Sequence, residues 1–305
     1  MNKKYHGKVI LFGEYSMIFG SEALLIPYDS VFGEWSSVIN RPSDRGFDLN
    51  KKLFEFFDYL RKDDKFRILD LRRFEMELNA GLFFDCNIPL GYGVGSSGAL
   101  VAAVYDRFKL IEIEDTLKLK SFLASMENYF HGSSSGIDPL QCYFGKPFVL
   151  SQKITDNGQQ SSFTILDNDF ISDDIHIFLL DTNIKSPTGP LVEHFKERRQ
   201  DEKYLDKFNN EYVPLVKECI DCLVEKKDDE FFANLLRLST LQLELLSHTI
   251  PDDCKEYFLK DINEDHFQVK LCGAGGGGFL LGFSDDVEAT DRYWEDRRKK
   301  ISWIR

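Results

Sequence analysis

Pro89-Leu90-Gly91-Tyr92-Gly93-Val94-Gly95-Ser96-Ser97-Gly98 is the stretch on which the reading of this chain turns. It follows GLFFDCNI (81–88), which reads as a strand, and runs into a helical pattern in which Leu100, Val104 and Phe108 recur at four-residue spacing and form one buried face. A glycine-rich turn between strand and helix lets the backbone come close to a ligand. The free N–H groups of the helix's first turn, with the helix dipole, then favour a negative group at that point. Gly91, Gly93, Gly95 and Gly98 are therefore candidate phosphate-cradle positions. Ser96 and Ser97 add hydroxyls able to cap the helix or reach a phosphate or its metal. A capped turn that holds no ligand is the plain alternative.

Gly93, Gly95 and Gly98 also satisfy G-x-G-x-x-G, so a dinucleotide-binding oxidoreductase has to be weighed. That fingerprint belongs to a first βαβ unit with an acidic residue closing the next strand, whereas Glu112, Glu114 and Asp115 fall here in a polar turn. No G-x-x-x-x-G-K-[ST] run occurs, nor do the protein-kinase HRD and DFG motifs. Gly132-Ser133-Ser134-Ser135-Gly136 matches G-x-S-x-G, but a nucleophile elbow follows a strand and starts a helix. This segment instead follows the helix TLKLKSFLASMENYF (116–130), which ends at His131-Gly132, and is expected to lead through Gly136-Ile137-Asp138-Pro139 into extended chain.

Asp138, set among small residues, is a candidate proton acceptor, and Glu127 lies eleven residues earlier on the preceding helix. Taken singly, each has a bland reading, Asp138 as a turn former and Glu127 as a solvated helix carboxylate. Further on, FTIL and IHIFLLDT (around 163–182) read as strands and residues 189 to 247 as helical with a break near Asp228. In FQVKLCGAGGGGFLLGF (267–283) a glycine run, Gly273 to Gly278, joins two apolar strands, and a charged helix is expected near 285–300. Such a run costs chain entropy, and close approach of backbone to backbone or ligand is the usual compensation.

The 305 residues, 43% hydrophobic with 27 Phe, suffice for one large domain or two moderate ones. A formal charge of −13 disfavours extended contact with nucleic acid or an anionic membrane, while a few backbone N–H groups, one Lys and a metal ion still suffice for a nucleotide. Six scattered cysteines include a lone C-x-x-C, Cys219 and Cys222, inside a helical pattern with no partner pair. They are expected to be structural thiols in a reducing compartment. The N-terminal apolar run is only four residues long and nothing approaches a membrane span, so a cytoplasmic protein is expected.

Read in order, these motifs resemble the three signature segments of the superfamily of galactokinase, homoserine kinase, mevalonate kinase and phosphomevalonate kinase, the GHMP kinases. GKVILFGEY resembles the N-terminal segment, PLGYGVGSSGAL the phosphate loop, and KLCGAGGGGF the C-terminal glycine motif. HGSSSGID is similar to the HGxPSGID of mevalonate kinases, with the same eleven-residue gap from Glu127 to Asp138.

The resemblance implies an α/β (α+β) fold with an N-terminal domain over 1–165, like the second domain of ribosomal protein S5, a ferredoxin-like C-terminal domain over 166–305, and ATP in the cleft between them. It implies Asp138 as the base for the substrate hydroxyl with Lys8 beside it, Ser97 and Glu127 as holders of Mg²⁺, and the 91–98 loop as nucleotide binder. Glu14, Thr188 in TGPLV and Gly275 would border the substrate. The implied partner is a small hydroxyl compound, mevalonate first, with phosphomevalonate or a sugar as rivals and a homodimer left open. A non-catalytic nucleotide-binding protein is the rival of a different class.

Four positions depart from the pattern. Tyr15 follows the Gly-Glu pair where mevalonate kinases usually have His, Ser134 stands where Pro is usual, Pro139 where Asn is usual, and Gly98 where Ala is usual. Residues 30 to 80 carry none of these motifs and add nothing to the resemblance.

Overall fold

The structure is a computed structural model and describes residues 3–39, 44–155, 158–185 and 188–304. It resolves into two compact units that interleave in sequence: residues 1–8, 27–89 and 94–145 form one, and residues 9–26, 90–93 and 146–305 the other.

The chain enters on strand β1 (Lys4–Phe12) and returns on the long strand β2 (Glu22–Ser37). In the first unit β2 pairs antiparallel with β3 (Leu82–Cys86), Gly33 opposite Cys86 and Ser37 opposite Leu82. Between them lie helices α1 (Asp44–Leu60) and α2 (Leu71–Asn79), in the region that carries none of the quoted motifs. The unit is completed by α3 (Ser96–Phe108), α4 (Thr116–His131) and α5 (Ile137–Phe144). Aromatic rings fill its core: Phe74 stacks on Phe108 with centroids 4.3 Å apart, and Phe56, Phe66 and Tyr105 are fully buried.

The strand, glycine loop and helix expected around residue 95 are all present. So is the helix ending at Gly132, which caps α4 at φ 71° and hydrogen-bonds back to the Asn128 carbonyl. One expectation fails. The stretch after Gly136 is not extended but helical, and Asp138 sits in the first turn of α5. Proline disfavours helix in the residue before it, yet its missing N–H costs nothing in a first turn, where that donor has no helical acceptor. The hydrolase argument thus loses one leg, because G-x-S-x-G does precede a helix. It keeps the other, since the segment follows a helix and not a strand.

In the second unit the start of β2 pairs with β4 (Phe148–Thr155), Leu25 opposite Phe148, and β4 pairs with β5 (Gly158–Ile165). A separate four-stranded sheet contains β6 (His176–Asp181), β7 (Phe267–Leu271), β8 (Phe279–Ser284) and β9 (Ile301–Trp303) in the order β7-β8-β6-β9. Its helices are α6 (Thr188–Arg198), α7 (Glu202–Lys207), α8 (Val213–Val224), α9 (Asp228–Leu245), α10 (Ile262–Asp265) and α11 (Val287–Asp296). The expected break near Asp228 is the start of α9. Phe12, Phe231 and Phe283 meet within about 6 Å, and Trp294 packs on Phe267 at 5.0 Å. All six cysteines are free thiols, with Cys219 buried on α8.

Candidate active site

Four of the residues singled out from sequence come together in the first unit, each delivered by a different element. Lys8 lies on β1, with its backbone N–H bonded to the Val94 carbonyl at 3.0 Å, which fixes the strand against the glycine loop. Its side chain is almost wholly buried, and its Nζ stands 2.9 Å from Asp138 Oδ1. Asp138 keeps about a third of its side chain exposed, so the carboxylate is tied to a cation on one side and open to solvent on the other. A buried ammonium held this way puts a fixed positive charge beside one oxygen of the carboxylate.

The glycine loop approaches Lys8 closely enough to dictate its own composition. Gly95 caps α3 in the left-handed region at φ 85°, and a Cβ there would stand 2.9 Å from Lys8 Cγ. The N-cap of α3 is a glycine with no side chain to offer, and the first-turn N–H groups include those of Ser96 and Ser97. Gly91 and Gly93 have open space where a Cβ would be. Gly98, inside α3, faces the start of α5, where a Cβ would come within 2.9 Å of the Asp138 carbonyl carbon and 3.0 Å of Pro139 N. Two departures from the family pattern, Gly98 and Pro139, therefore meet at the residue proposed as base.

Glu127 is not the solvated helix carboxylate of the bland reading: it is 3% exposed. Ser97 donates its hydroxyl to Oε1 at 2.9 Å and Ser134 donates to Oε2 at 2.5 Å. Burial first, and the neighbouring Asp138 charge second, push the Glu127 carboxyl up to about 7, against the pull of the two hydroxyls and of Lys8.

Its donor set is all oxygen, a carboxylate with an adjacent hydroxyl, which suits a hard divalent cation. Among the described residues no group of three or more His, Cys, Asp or Glu side chains could hold a metal on its own. Mg²⁺ commonly takes only one or two protein carboxylates together with water and substrate phosphates. Ser97 and Glu127 thus fit such an ion on donor chemistry.

Three neighbours were not singled out as site residues. His131 Nε2 lies 2.9 Å from Ser97 Oγ. Its signal was present in sequence, because Glu127 and His131 are four apart on one helix and share a face. Ser134 was visible only as a departure from a pattern. Cys142 lies four residues beyond Asp138 on α5, with Sγ 3.8 Å from the Gly95 carbonyl, and burial pushes its thiol well up, so it stays neutral.

The remaining sequence-predicted residues lie elsewhere or outside view. Glu14 and Gly275 belong to the second unit. Glu14 is engaged by the fully buried Lys270, whose Nζ also donates to the Leu271 carbonyl at 2.5 Å. Gly275 sits in the loop between β7 and β8, where a Cβ would stand 2.4 Å from the Thr249 carbonyl oxygen. Tyr15 donates to the Ala274 carbonyl of the same loop at 2.7 Å. Thr188 opens α6, but its side chain lies outside the described residues.

Residues 55–146 match the family model of the GHMP kinases N terminal domain. Across 285 residues the chain is 24% identical to a mevalonate kinase of Archaeoglobus fulgidus, covering 90% of this chain and 89% of that one. Its fold is shared with the mevalonate kinase of L. major in complex with R-mevalonate (TM-score 0.64, 15% identity, 98% of this chain and 92% of the other). The fold is also shared with Streptococcus pneumoniae phosphomevalonate kinase in complex with phosphomevalonate and AMPPNP (TM-score 0.62, 16% identity, 99% of both). These likenesses support a kinase. Among the described residues no helix is long and apolar enough to cross a membrane.

Proposed function

Because the chain carries a GHMP kinases N terminal domain within the fold of mevalonate kinases, we propose that it transfers the γ-phosphoryl group of ATP to the hydroxyl of mevalonate, giving 5-phosphomevalonate. The observation that carries the reading is the contact of Lys8 Nζ with Asp138 Oδ1 at 2.9 Å, beside the uncapped start of α3. A carboxylate set against a buried cation and open on its other side is the arrangement a base for a hydroxyl needs, which favours a catalyst over a protein that only binds nucleotide.

In this reading the substrate hydroxyl approaches the open side of Asp138. Asp138 orients the hydroxyl and takes its proton as the oxygen–phosphorus bond forms and the bond to the leaving ADP oxygen breaks. Lys8 offsets negative charge developing at the acceptor oxygen and the phosphoryl group. The N–H groups at the start of α3, with Gly91, Gly93, Gly95, Ser96, Ser97 and Gly98, hold the phosphates. A divalent cation bound through Glu127 and Ser97 would neutralise phosphate charge. Glu14, Thr188 and Gly275 remain proposed substrate neighbours, and residues 1–165 and 166–305 the proposed nucleotide-binding and C-terminal domains.

Phosphomevalonate is the second reading of the acceptor. It is favoured by Tyr15, the residue more typical of phosphomevalonate kinases, and by the likeness to the Streptococcus pneumoniae enzyme. A sugar stands behind it. ADP release from Mg-ATP with mevalonate, phosphomevalonate, homoserine and a panel of sugars separates them. The expected result is turnover with mevalonate; turnover only with another acceptor would keep the chemistry and discard the substrate.

A further inference from the structure

Ser134 occupies the position at which the HGxPSGID pattern has proline, and it does there what proline is unable to do. Its backbone N–H donates to Asn128 Oδ1 at 2.7 Å, a bond proline lacks the hydrogen to make. Its hydroxyl donates to Glu127 Oε2 at 2.5 Å and accepts from the Gly136 N–H at 2.9 Å. The Gly136 contact takes up a lone pair and so aims the hydroxyl proton at the carboxylate. The Asn128 contact pins the turn to the helix that carries Glu127, one residue beyond it.

We propose that Ser134 is a positioning residue for Glu127: it fixes the plane of the buried carboxylate through Oε2, so that Oε1 is presented beside the Ser97 hydroxyl in the arrangement a divalent cation uses. The inference rests on the reading of Glu127 and Ser97 as cation holders. A carboxylate bonded on only one oxygen can turn about its last side-chain torsion, which is broad and weakly restrained. Each oxygen of Glu127 has its own hydroxyl donor, from different segments, so rotation would break one bond or the other. The turn of 132–136 thereby becomes part of the cation site without touching the cation.

The test is Mn²⁺ binding to the whole protein with saturating ADP, followed by paramagnetic resonance of free Mn²⁺, alongside the cation dependence of turnover. Ser134→Ala keeps the N–H and removes the hydroxyl. It is expected to weaken Mn²⁺ about five- to tenfold, the size of a typical net intramolecular hydrogen bond, and to leave kcat at saturating cation within about twofold, since nothing that touches substrate is altered. Ser134→Thr restores the hydroxyl and should restore affinity, which a merely structural role would not predict. Should Ser134→Ala melt early, Ser134→Cys, of similar size but a weak donor, gives the same reading.

Unchanged Mn²⁺ affinity in a folded Ser134→Ala or Ser134→Cys protein overturns the proposal. Glu127→Gln separates the two levels. If that variant loses Mn²⁺ and Ser134→Ala does not, the cation site stands and the role of Ser134 falls; if Glu127→Gln binds Mn²⁺ normally, the underlying reading falls and takes the proposal with it.

Discussion

Glu127 shows how much a single side chain's meaning depends on its surroundings. In sequence it is one helix carboxylate among many, and only its distance from Asp138 set it apart, through a resemblance and not through any physical property. In the fold it is buried, its two oxygens are bonded to two serines, and its carboxyl is raised to about 7 chiefly by burial. The sign of the consequence follows from linkage. A carboxyl raised on folding adds stability that is fully present below its unfolded value and is lost as pH rises through its folded value, because the folded state holds the extra proton. Chelator-treated protein should therefore lose stability between pH 5 and pH 8, by on the order of 2 kcal/mol from this group. Glu127→Gln, which stays neutral, should flatten that part of the profile in urea melts at several pH values. A wild-type profile matching that of the variant would show that Glu127 titrates normally. The contacts of His131 and Ser134 were out of reach of any one-dimensional reading, although the four-residue spacing of Glu127 and His131 carried a usable hint.

Among the elements, α3 and α5 were unequally legible. The glycine loop and α3 could be read because their signals are local: a strand, positive-φ glycines and an apolar face at helical spacing. The helix α5 was missed because its local signals conflict, a glycine N-cap followed by proline two residues after Ile137, and position within the first turn decides which of them wins. The close approach of Gly98 to the Asp138 carbonyl carbon makes the pair of helices one device. Gly98→Ala should force the start of α5 to shift by a few tenths of an ångström and move Asp138 relative to Lys8. A loss of about three- to tenfold in kcat is expected, because small displacements of a reacting group are costly. The variant should also lose roughly 1–2 kcal/mol of stability from overpacking. Steady-state kinetics and a denaturant titration check both, and unaltered kcat would mean the helices separate without moving the carboxylate. The family pattern's alanine at this position makes the variant a direct test of whether Gly98 and Pro139 adapt to one another.

For the whole molecule, composition pointed to a globular chain and the resemblance of its motifs to an α/β enzyme fold, but the interleaving of its two units had no local signature. Residues 9–26 and 90–93 join the second unit through pairings made across more than a hundred residues, such as Leu25 with Phe148, and no periodicity encodes a long-range partner. Residues 30 to 80, where the end of β2 and two helices form, carry no short motif, and only the family match that begins at residue 55 reaches into them. A fragment of residues 146–305 would lack the stretch of β2 that pairs with β4, and Phe12 would be missing from beside Phe231 and Phe283. Such a fragment should show no cooperative thermal transition, whereas the full chain should; a sharp transition in the fragment would mean the added segments are dispensable.

Across all scales the account stands on Asp138 as the group that takes the proton, and the most direct test is Asp138→Asn measured twice, once for acceptor-dependent ADP release and once for nucleotide binding by calorimetry. The account predicts turnover lower by about 10²–10⁴-fold with nucleotide affinity largely kept. Turnover close to that of the unaltered protein would contradict it.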